Sequence, residues 1–96
     1  MTLSEFKDSI QNNELPSHLI LQSLFYDAQG DWERAHDLVN DLSDPDSSWV
    51  HAYLHRKEGD LWNARYWYRR CGKEESDKSL DEEWNELAVH FLLKYS

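Results

Sequence analysis

Apolar residues recur along this chain at helical spacing, and no stretch alternates with the period of two that a half-buried strand would need. Phe6 and Ile10 stand one turn apart behind Thr2-Leu3-Ser4-Glu5, which has the form of a capping box, and predict a first helix over about residues 3–12. Ile20, Leu21, Leu24, Phe25 and Ala28 make a stripe of period about 3.6, a second helix with Pro16 in its first turn and Gly30 at its end. Asp31 is placed to cap a third helix that turns Ala35, Leu38, Val39 and Leu42 inward. Asp44-Pro45 opens a fourth helix, Gly59-Asp60 repeats the turn, and a fifth runs to about Cys71, where Gly72 stops it. Residues 73–78 are charged and loop-like. Ser79-Leu80-Asp81-Glu82, a second capping box, opens a long last helix with Leu80, Trp84, Leu87, Ala88, Phe91, Leu92 and Tyr95 on one face.

The chain also matches itself. Displaced by 29 positions, Pro16 falls on Pro45, Gly30-Asp31 on Gly59-Asp60, Ala35 on Ala64, Leu21 on Val50, Phe25 on Leu54 and Val39 on Tyr68. Each unit is then helix, Gly-Asp turn, helix, with an alanine where the two helices must approach closely. GDWERA and GDLWNA resemble the G-D-x-x-x-A turn of the tetratricopeptide repeat, and the resemblance covers about residues 16–73. It implies an all-α fold of antiparallel hairpins stacked as a short right-handed array, with units at about 16–44 and 45–73 and a capping helix at about 79–95. The chain departs from the family in its period, which is shorter than the usual length of about 34, and in holding Gln22 and His51 where small or aromatic residues are common in the first helix. The string HAYLHRKEGD…NARYWYRR also looks like small uncharacterised bacterial proteins, which implies no function.

Bulk composition narrows the picture. Ninety-six residues, 40% of them hydrophobic, suit a single domain with one core over 1–96. The lone Cys71 excludes an internal disulfide and suits a reducing compartment. No apolar run approaches the ~20 residues of a membrane span, and the acidic N-terminal stretch has no signal-like apolar region, so a cytoplasmic protein without membrane contact is expected. The net charge of −9 argues against nucleic acid. That charge is unevenly spread. Between His55 and Lys73, Arg56, Lys57, Arg65, Arg69, Arg70 and Lys73 face only Glu58 and Asp60, so this segment is +4 and the remainder −13.

The same region, Trp49–Lys73, holds three of the five tryptophans and three of the five tyrosines. Trp49, His51, Tyr53, His55, Arg56, Asp60, Asn63, Tyr66 and Arg70 are its candidate ligand- or partner-binding residues. His51 and His55, four apart, can present two imidazoles to one metal ion. A third ligand, Glu58 or His36, is fixed by no motif, and two partly buried, hydrogen-bonded histidines are the simpler reading, so neither a metal nor a cofactor is expected. The arginines, interleaved with aromatics, can take an anion or acidic peptide by forked hydrogen bonds and stacking. They can equally pair with the chain's own acids, such as Asp31, Glu33, Asp37, Glu82, Glu83 or Glu86. Trp62 and Tyr66 face away from the first core and are expected to be covered by the Trp84, Leu87 and Phe91 stripe of the last helix. Cys71 reads as a small buried residue.

No nucleophile, oxyanion or metal-protease motif accompanies these residues, so a catalytic role is not expected. The sequence points to a noncatalytic helical-repeat module that binds a protein or peptide partner or pairs with itself as a homodimer. The alternative is a small anionic-ligand or enzymatic site on the His/Arg/Tyr/Trp-rich hairpin 49–73.

Overall fold

Each helix starts where a side chain can accept the backbone N–H groups that its first turn leaves free. A computed structural model describes all residues, Met1–Ser96, as six helices without a strand. They are α1 (Leu3–Gln11), α2 (Leu19–Ala28), α3 (Trp32–Val39), α4 (Pro45–Glu58), α5 (Leu61–Arg70) and α6 (Leu80–Tyr95). Thr2 and Glu5 close a capping box on α1, with Glu5 N donating to Thr2 Oγ1 at 3.1 Å and Thr2 N to Glu5 Oε1 at 2.9 Å. Asp31, Asp44, Asp60 and Ser79 cap the later helices, and Pro45 takes the first position of α4. No helix is long and apolar enough to cross a membrane.

Pro16 does not start a helix as its match to Pro45 suggests. α2 begins three residues later, capped by His18, whose Nδ1 accepts from Ile20 N at 3.1 Å. The His18 ring also lies flat on Tyr95 of α6, centroids 3.6 Å apart. The Pro16 carbonyl instead accepts from Gln22 Nε2 at 2.9 Å.

The two Gly-Asp turns repeat bond for bond. Asp31 N donates to Tyr26 O and Asp60 N to His55 O, both at 2.9 Å. Gly30 N reaches Asp27 O at 2.9 Å, and Gly59 N reaches Arg56 O at 3.1 Å. Closing this six-residue loop requires a left-handed backbone at the glycine, and Gly30 and Gly59 have φ of 85° and 88°. Ala35 and Ala64 are fully buried just beyond the turns, and the Ala35 carbonyl accepts from Ser23 Oγ across the α2–α3 contact at 2.8 Å.

α4 is the centre of the molecule. It packs on α5, α3, α2 and α6, so every residue from Ser47 to His55 is buried. α6 packs on α1, α2 and α4: Trp84 stacks on Phe6 at 5.8 Å, Phe91 meets Trp49 at 5.7 Å, and Leu87, Ala88 and Leu92 complete the seam. This corrects the expectation that α6 covers Trp62 and Tyr66. Its apolar stripe is consumed by α1, α2 and α4, and its Glu83 is held against Arg56 and Tyr68. Leu61 is likewise exposed.

Candidate functional site

The candidate residues of Trp49–Lys73 fall into three separate groups and do not line one cleft. The first group is structural. Asp27 of α2 and Glu83 of α6 are carboxylates only 2% and 1% exposed, and α4 supplies a cation to each. Asp27 accepts from Tyr53 Oη at 3.0 Å and Lys57 Nζ at 2.9 Å. Glu83 accepts from Tyr68 Oη at 2.6 Å and Arg56 Nη1 at 2.9 Å, while Arg56 Nη2 donates to the Lys78 carbonyl. Burial and the adjacent carboxylate raise the pKa of both phenols, so each stays a proton donor. Arg56 and Tyr53 therefore hold helices together. Trp49 belongs with them, packed between His90 and Phe91 with Lys73 Nζ 4.0 Å over its ring. Asp60 and Asn63 serve the start of α5, where Asp60 accepts from Asn63 N at 3.3 Å and Asn63 Nδ2 at 2.6 Å.

The second group is a knot of imidazoles and indoles between α3, α4 and α5. His36 Nε2 lies 3.1 Å from His51 Nε2. His55 joins them, its ring 5.1 Å from His36 and 4.7 Å from His51. Trp32 stacks on His36 at 4.8 Å and Trp67 on His51 at 4.0 Å, walling the cluster on both sides. Trp32 is itself pinned by donation from Nε1 to the Leu54 carbonyl at 2.8 Å.

His51 is 2% exposed, and burial, assisted by His55 and His36, pulls its pKa down to about 3. Burial and His55 also lower His36. The buried Nδ1 atoms of His51 and His55 have no hydrogen-bond partner. Glu58 Oε1 stands 3.6 Å from His55 Nδ1, too far for a hydrogen bond. His36 belongs to α3. Only its displacement of 15 residues from His51 separates the two in sequence, and nothing in that spacing announces that α3 would bring them together.

The third group is the outer surface of α5. Leu61, Trp62 and Tyr66 are 41%, 75% and 43% exposed. They run along one stripe with Arg65 and Arg69, since positions four apart share a helix face. Arg65 Nε donates to Glu75 at 2.8 Å. Arg70 lies beside the stripe, its guanidinium 5.4 Å from the Trp67 ring and Nη1 3.2 Å from Tyr66 Oη. Neither Arg69 nor Arg70 forms an ion pair within the chain. Cys71 sits at the end of this helix, half-buried, with burial raising its thiol pKa, and so is not poised as a nucleophile. Comparison with protein-family models, with curated proteins and with solved structures finds no match to this chain.

Proposed function

We propose that this protein is a noncatalytic binding module of tetratricopeptide-like build, whose α2–α3 and α4–α5 hairpins stack as a right-handed array closed on one side by α6. Its partner is a protein segment forming an acidic, amphipathic helix, and the docking surface is the outer face of α5. The carrying observation is that face itself: Leu61, Trp62 and Tyr66 are left open beside Arg69 and Arg70, two cations without an internal acid. In the first unit the residues equivalent to Leu61 and Arg65 are Trp32 and His36, and these are covered by α4. The end of the array thus presents a surface that inside the array receives a helix.

Charge favours an acidic partner over a second copy of this chain docked α5 to α5. A symmetric dimer through α5 would bring Arg65, Arg69 and Arg70 of both copies together, which is repulsive. Tryptophan, tyrosine and arginine are the residue types that most often dominate binding energy at an interface centre. The alternative of a small anionic-ligand or enzymatic pocket is weakened because Arg56, Tyr53, Asp60 and Asn63 are engaged in structural bonds.

The test is retention of partners from the native host by wild-type protein and by Trp62→Ala/Tyr66→Ala, followed by hydrogen-exchange footprinting of the purified complex. The reading expects a partner with an acidic helical segment, binding that weakens as salt rises, protection on α5, and loss in the double variant. Undiminished retention by the variant, or protection confined to other helices, would overturn it. So would sedimentation showing that the captured species is a second copy of the chain.

A further inference from the structure

We propose that His36, His51 and His55 form a binding site for one divalent transition-metal ion, with Zn²⁺ the ion it suits best. Three histidines can each turn a ring nitrogen into one small volume, where these atoms all lie within 4.8 Å of one another. A tetrahedral zinc with nitrogen ligands at about 2.0–2.1 Å holds those ligands a little over 3 Å apart. The His36–His51 pair already stands at 3.1 Å, and His51 and His55 are successive turns of one helix, so a small ring rotation of His55 completes the set. Three protein ligands leave a fourth position for water.

Three further observations favour a cation over a self-sufficient packing cluster. The His36–His51 contact is a hydrogen bond only if one Nε2 carries a proton, so two basic nitrogens share a single hydrogen. No hydrogen bond fixes the His55 ring, whose buried Nδ1 has no partner, so it can turn its Nε2 toward the other two histidines. Finally, the indoles of Trp32 and Trp67 stack on the His36 and His51 rings, while Glu58 lies beside His55 where an outer-shell carboxylate would orient that ring. The ion would join α3 of the first hairpin to α4 of the second. It would act independently of the α5 docking face.

The test uses full-length, tag-free protein stripped of metal with a chelator and titrated with Zn²⁺ near neutral pH. Calorimetry should show saturable binding of one ion per chain, accompanied by a rise in melting temperature, because an ion that binds only the folded state stabilises it. Co²⁺ in place of Zn²⁺ should give the visible absorption of a tetrahedral nitrogen site.

His36→Gln, at the half-buried edge of the cluster, should weaken Zn²⁺ binding by at least about 100-fold, since a ligand matters no less than its outer-shell support. It should also abolish the rise in melting temperature. Glu58→Gln should weaken binding by about 10–100-fold, and by less than His36→Gln does. The absence of saturable one-to-one binding overturns the proposal. So does unchanged affinity in His36→Gln, or a loss in Glu58→Gln larger than in His36→Gln, which would place the ion on His55, Glu58 and Asp60 instead. If His51→Gln fails to fold, the His36 and Glu58 variants still decide the matter.

Discussion

The two hairpins share a turn to within a few tenths of an ångström in hydrogen-bond length, yet their second helices meet different surroundings. On α3, Trp32 and His36 pack against α4; on α5 the equivalent Leu61 and Arg65 face solvent. The contrast extends to charge. Asp27 and Arg56 occupy equivalent positions near the ends of α2 and α4, one an anion and the other a cation. Asp27 is neutralised by Lys57 of the next hairpin, and Arg56 by Glu83 of α6. The shared turn therefore fixes the local backbone, while the neighbours of each helix decide what its side chains must satisfy.

The sharpest way to break this comparison is to remove the cation from one site and from its exposed neighbour. Arg56→Ala strands Glu83, which is 1% exposed, and should cost about 3–5 kcal/mol. Arg70→Ala removes a stacked but exposed side chain and should cost about 0–1 kcal/mol. Chemical denaturation of both variants checks this, and similar losses would mean that the Glu83 site is wet.

Acid should act on the covered side of α3. The His51 value of about 3 lies below the ordinary 6.5, so the unfolded chain binds this proton more tightly than the folded one. In chelator-treated protein, stability should be complete above about pH 6.5 and fall by up to about 1.4 kcal/mol per unit as pH drops toward 3. His51→Phe should flatten that slope. An unchanged slope would show that His51 titrates freely in the folded state.

The shared turns are tested by making the same substitution twice. Gly30→Ala and Gly59→Ala should each cost about 1 kcal/mol, because both glycines have positive φ and a new Cβ meets no neighbour, leaving backbone strain alone. Thermal unfolding should give losses that agree within a few tenths of a kcal/mol, and a clear inequality would show that the turns are not equivalent. The smallest effect belongs to the open face: Trp62→Ala should change stability by no more than about 0.5 kcal/mol. A larger loss in calorimetry would mean that this indole is covered in solution.

Much of the fold was legible in the chain. The stripes of α1, α2, α3 and α6, the caps at Thr2, Asp31, Asp44 and Ser79, and the glycines of both turns are local features that act over one or two helical turns. The late start of α2 was not legible, because His18 caps it while its ring is held by Tyr95, far away in sequence. Nearness in sequence suggests one patch for the candidate residues. On a helix, however, adjacent residues point in different directions, so Tyr53, His55 and Arg56 reach three different environments.

By itself, then, the sequence determined that this protein is helical and where its Gly-Asp turns fall, since periodicity, caps and glycines carry that information locally. Only the tertiary structure decided that α6 would lie on α1, α2 and α4 and leave α5 open. An amphipathic stripe states that a face must be buried but not against which neighbour. The same holds for His36. Its placement beside His51 depends on how α3 crosses α4, which is set by the sum of many side-chain contacts rather than by any residue near it in the chain.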